Sequence, residues 1–146
     1  MKIYTSYFAQ LRKFPTNLIG LSTAHWNPKW RPMGKDKRGI ICVDCSPFKP
    51  GRECDGLCRG ECNPKHPEDC AFLKVYKAQL DKLNLTHIQD SLGKLATQIA
   101  HDEGFKEVNF AFLVYETPTN LCSERIPIQQ WFKEHGIQCE EWQPNI

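Results

Sequence analysis

The chain has 146 residues, 40% of them hydrophobic, and a formal net charge of +2. That length suits one domain with its own core and is short for two. No stretch approaches the ~18 consecutive apolar residues that span a bilayer, and so small a net charge argues neither for nor against nucleic acid.

The opening residues Met1, Lys2 and Ile3 form no charged leader ahead of an apolar run, so no secretory signal is expected. The expected location is cytoplasmic, where eight cysteines stay reduced. Residues 2–8 alternate and are rich in aromatic and β-branched side chains, as a first strand requires. Pro15 and Asn17 break the chain before a short apolar run at 18–22, which suits a buried second strand. From about 27 to 70 the chain turns basic, then proline-rich and cysteine-rich. This reads as an insertion with little regular structure and no apolar periodicity to build a core.

Helical order resumes with Phe72, Leu73, Tyr76 and Leu80 spaced along one face. Thr86 and Gln89 have the spacing of a capping box, which predicts the start of a second helix that Gly104 ends. Residues 108–115 are nearly all apolar and read as a central strand covered on both sides. A third helix is expected from about 123 to 135, with Pro127 near its first turn and Gly136 at its end. A last short strand is expected at 137–142. Strands alternating with helices predict an α/β fold: a small, mainly parallel sheet flanked by helices, Rossmann-like, with the helix pair between the second and third strands as one long crossover.

In such sheets ligands bind beyond the carboxyl ends of the strands, where strand order reverses. The residues at those ends are Ser6 and Tyr7, then Ser22 and His25, then Glu116, Cys122, Ser123 and Arg125. Cys122 precedes a helix, whose unpaired N–H groups and partial positive charge can lower a thiol's pKa or hold an anion. It is thus a candidate nucleophile with Glu116 as acid–base partner, and Arg125 can fork onto a phosphate. The alternative is a small buried cysteine followed by a capping serine. Lys29, Arg31, Lys35, Lys37 and Arg38 stand against Asp36 alone and are candidate nucleic-acid contacts. Trp26 and Trp30 among them are candidate stacking rings; the alternative is a solvated basic loop.

Cys42, Cys45, Cys54, Cys58, Cys62 and Cys70 crowd the insertion, with His66 nearby. A loop of glycines and prolines stays ordered if a metal cross-links it, and clustered thiols in a reducing compartment read as metal ligands. A disulfide-stapled or merely reduced loop is the other reading. Cys42-x2-Cys45 is a common zinc half-site, so a single structural zinc is expected, with a four-cysteine iron–sulfur cluster as the alternative.

Several of these residues resemble a known family. A first strand ending in Thr5-Ser6-Tyr7-Phe8, a second ending near Ser22, and Tyr115-Glu116-x-Pro118 leading to Cys122-x2-Arg125 and a helix bearing Trp131 are similar to domain-of-unknown-function family 488. Val114 stands where that family has a cysteine, and Ser123-Glu124 where it has a histidine. The cysteine-rich insertion resembles that of a subgroup found in bacteria and their mobile elements. The resemblance implies a small Rossmann-like fold with a site around Glu116, Cys122 and Arg125, and it carries no reaction. Three functions follow from the residues: a domain that binds or processes a nucleotide or nucleic acid, a small-molecule enzyme with a cysteine nucleophile, or a protein-interaction module that uses the metal loop.

Overall fold

The computed structural model describes residues 1–24, 35–58, 63 and 65–144. Its sheet has five strands, all parallel: β1 (Ile3–Tyr7), β2 (Leu18–Ser22), β3 (Val43–Asp44), β4 (Asn109–Val114) and β5 (Cys139–Glu141). They lie in the order β3-β2-β4-β1-β5. The three α-helices are α1 (Ala71–Asp81), α2 (Leu85–Glu103) and α3 (Arg125–Glu134).

The period-2 alternation of the central strand sorts the core into two layers. Phe110 and Phe112 of β4 face α1, α2 and α3 with Tyr76, Leu80, Leu92, Ile99, Trp131 and Phe132. Ala111 and Leu113 face the other way, toward Phe8, Leu11 and Phe14 on and beside a 3-10 helix at Phe8–Lys13. From β1 the chain passes β4 to reach β2 on one side. From β4 it passes β1 to reach β5 on the other. Right-handed crossovers require those connections to lie on opposite faces, as the two layers do. The carboxyl ends of β1 and β4 therefore part from each other, and this is the switch point of the sheet.

The insertion departs from the expectation that it builds no core. It supplies β3, which pairs with β2 through Leu21–Val43 and Ser22–Asp44. It also supplies Phe48, which is fully buried between Phe112 (ring centroids 4.5 Å apart), Trp131 (5.7 Å) and Phe132 (5.8 Å). Burying one such ring is worth about 1.5–3 kcal/mol. Periodicity could not show this, because a single aromatic between prolines has no period.

The long crossover through α1 and α2 consequently starts from β3. Gln79 of α1 holds the segment after Phe48, accepting from Gly51 N at 2.7 Å and donating to Lys49 O at 2.7 Å. Tyr76 donates its hydroxyl to Phe48 O.

Two helix starts also differ from the sequence reading. Asn84, not Thr86, caps α2, its side chain accepting from His87 N at 3.0 Å. The third helix begins at Arg125, leaving Ser123 ahead of it. Gly104 closes α2 in the left-handed region at φ 74°, as expected. Gly20 serves close packing: a Cβ there would stand 2.7 Å from Leu113 Cδ1 and 3.3 Å from Cys42 Sγ. Among the described residues no helix is long and apolar enough to cross a membrane.

Candidate functional site

The cysteines divide by location. Cys42 is buried in the layer with Phe8 and Leu113. Cys54 is buried in the larger core, its Sγ 4.0 Å from Gln79 Oε1, and burial raises its pKa. Cys45 packs against the same core, and burial pushes its thiol up to about 12. The remaining described cysteines of the insertion converge on a residue far away in sequence: the Sγ atoms of Cys58, Cys70 and Cys122 all lie within 4.8 Å of one another. The site is thus a group of three cysteines that can hold a metal ion, and the expected Cys42–Cys45 pair is not part of it. Cys62 lies outside the described residues, as do His25, Lys29 and Arg31. His66 is exposed and bonds Glu68 Oε1 at 2.9 Å.

Local structure sets each of the three sulfurs. Cys58 has φ 50°, a left-handed backbone unusual for a side-chain-bearing residue and held only where the surroundings impose it. Cys70 is buried at the N-cap of α1. Cys122 lies three positions ahead of α3, its N–H donating to Asn120 Oδ1 at 3.0 Å and its Sγ 3.5 Å from Asn63 O. Two helix N-termini therefore sit beside the sulfurs.

Sulfurs tetrahedrally bound to one zinc stand about 3.8 Å apart, given Zn–S bonds of about 2.3 Å. A spread of up to 4.8 Å needs only side-chain adjustment to close on an ion. The donor set is soft and fits zinc or an iron–sulfur cluster.

Next to the cysteines lies a polar network. Arg125 is only 2% exposed. It donates through Nε to Glu141 Oε1 at 2.9 Å and through Nη2 to Glu116 O at 2.7 Å, and its guanidinium lies 5.8 Å from the Tyr7 ring centroid. Thr5 donates to Glu141 at 2.8 Å and accepts from Gln129 at 2.7 Å. Ser123 donates to Glu116 Oε2 at 3.2 Å. Burial, reinforced by the Glu116 carboxylate, pushes Glu124 up to about 7. Arg125 Nη1, Glu141 Oε2 and Ser6 Oγ are buried without a hydrogen-bond partner among the described residues. Ser22, at the end of β2, is fully buried and accepts from Ala24 N at 3.3 Å.

The sequence-predicted anion site at Cys122–Arg125 is thus assembled, but its guanidinium is turned inward onto a carboxylate and a carbonyl. Glu141 and Gln129 had no signal in the sequence, and Thr5 was legible only as a strand-end residue, because the β1–β5 register that sets Thr5 beside Glu141 is a tertiary fact.

The basic segment is divided too. Arg38 is engaged by Asp36 (2.9 Å) and by the carbonyls of Pro15 (2.7 Å) and Leu18 (2.9 Å), a structural clamp. Lys35 pairs through its backbone with Ile41, ahead of β3. Lys37 instead joins Phe8, Leu11, Arg12, Lys13 and Tyr115 around a cleft of about 520 Å³. Phe8 and Tyr115 directly follow β1 and β4, so this cleft opens at the switch point.

Comparison of the chain with protein-family models, with curated proteins and with solved structures gives no match.

Proposed function

We propose that the protein is a zinc-stapled α/β domain that binds a phosphate-bearing ligand, a nucleotide or nucleic acid, at the carboxyl ends of β1 and β4. The observation that carries this reading is the approach of Cys122 to Cys58 and Cys70. It supports Cys122 as a ligand rather than a nucleophile, and it ties the insertion to the loop that leads from β4 into α3. Of the six cysteines that the sequence offers as ligands, Cys62 lies outside the described residues and is proposed as the fourth ligand of a tetrahedral site. Four thiolates leave no open position for water, so the metal stabilises and does not catalyse. The ligand-binding half rests on the switch point and on the cations gathered there. Membership of family 488 is part of the same proposal, supported by the strand-end positions of Glu116, Cys122 and Arg125.

Metal analysis with a binding titration tests the proposal. The purified protein is expected to carry about one zinc per chain, and Cys122→Ser and Cys62→Ser each to lose it. Wild-type protein is expected to bind AMP or a short oligonucleotide with an affinity that falls as salt rises. A brown protein with visible absorption overturns zinc in favour of iron–sulfur. Absence of binding to both probes at low salt overturns the ligand.

A further inference from the structure

We propose that the cleft between the 3-10 helix Phe8–Lys13 and Tyr115 seats a single nucleotide, its base stacked on Tyr115 and its phosphate held by Arg12, Lys13 and Lys37. The inference rests on the reading that the strand ends take a phosphate-bearing ligand, and it moves that ligand away from Arg125.

Four observations support it. First, the cleft is at the topological switch point, flanked by the residues that directly follow β1 and β4. Second, the described residues that line it include three cations and no carboxylate, and Arg12 and Lys13 have no ion-pair partner among the described residues. An anion there gains attraction from the cations of the described lining. Third, Tyr115 is 51% exposed, one of the few large hydrophobic side chains of the described residues at the surface. Phe8 packs against it at 4.9 Å between ring centroids, which helps hold the ring in place. Aromatic rings in basic surroundings are how proteins grip a base and its phosphate together. Fourth, about 520 Å³ is within the range of small-ligand sites.

Arg125 is unsuited to the same task. Its guanidinium is buried, with Nε and Nη2 committed to Glu141 and Glu116. A phosphate would have to displace Glu141 to reach it.

The test is calorimetric titration of the zinc-loaded full chain with AMP, adenosine and inorganic phosphate at low salt. AMP is expected to bind at least about tenfold tighter than either fragment, because stacking and phosphate contacts act together. Tyr115→Ala is expected to weaken AMP about tenfold, and Tyr115→Phe, which keeps the ring, to leave it nearly unchanged. Arg12→Ala with Lys13→Ala is expected to flatten the salt dependence. If AMP binds but all of these variants bind it as the wild type does, the cleft is the wrong place and the strand-end reading stands. A short oligonucleotide that binds far more tightly than AMP overturns the single nucleotide as occupant. If neither AMP nor an oligonucleotide binds the wild type, both readings fall.

Discussion

Cys70, at the N-cap of α1, and Cys122, in the loop ahead of α3, hold their sulfurs within 4.8 Å of each other and of Cys58. The relationship couples the insertion to the strand-end loop. The beginnings of two helices lie beside these sulfurs.

If the three cysteines hold a metal, treatment with a strong chelator is expected to lower the melting temperature. A bridge between Cys58 and Cys122 closes a long loop and restricts the unfolded chain as a cross-link does, worth about 3–5 kcal/mol. For a chain of this size that corresponds to a loss of roughly 10 °C. Cys70→Ser is expected to melt at the chelated temperature and to respond little to chelator, whereas Cys42→Ser keeps the chelator response. Scanning calorimetry with and without chelator checks this.

Native-state alkylation separates the thiols that burial keeps protonated. Burial pushes Cys45 and Cys139 up to about 12. At pH 8 their thiolate fraction is on the order of a thousandfold below that of an ordinary thiol, and labelling slows accordingly. Mass spectrometry after a timed iodoacetamide pulse is expected to find both unmodified in folded protein and modified in urea. Rapid native labelling of Cys139 would contradict its burial.

Arg125→Ala is expected to cost about 3–5 kcal/mol in urea unfolding, because it leaves the Glu141 carboxylate buried and uncompensated. Arg125→Met with Glu141→Leu removes both charges and is expected to recover much of that loss. A double variant no more stable than Arg125→Ala would show that the pair does not act as a unit.

The pH dependence of stability carries the signature of Glu141. Burial raises its carboxyl above the ordinary 4.5, while Arg125 and the Thr5 hydrogen bond pull it back. The folded chain therefore keeps a proton that the unfolded chain has released, and stability falls as pH rises from 4.5 through the folded-state value. Glu141→Gln removes that proton uptake. Its stability is expected to decline less steeply than the wild type's just above pH 4.5, as read from urea midpoints across pH.

Gln79→Ala is expected to release the segment after Phe48. It deletes the acceptor for Gly51 N and the donor to Lys49 O, bonds worth about 1 kcal/mol each. Hydrogen exchange is expected to quicken at Gly51 with little change at β4. Unchanged exchange at Gly51 would mean that the burial of Phe48 holds the segment without Gln79.

Much of the framework was legible in the amino-acid sequence. The apolar run that became β4, the one-sided spacing of α1 and the glycine that ends α2 are local signals, since alternation, helical spacing and left-handed turns are properties of neighbouring residues. The strand ends that carry Tyr7, Glu116 and Arg125 could be placed for the same reason. What needed the tertiary structure is whatever joins residues distant along the chain. Phe48 fills the core from a segment with no period, Arg125 turns inward because the sheet register puts Glu141 beside it, and Cys58 and Cys70 find Cys122 instead of Cys42 and Cys45. Spacing shows which cysteines are neighbours in sequence. Only the packing of α1 beside α3 decides which sulfurs are neighbours in space.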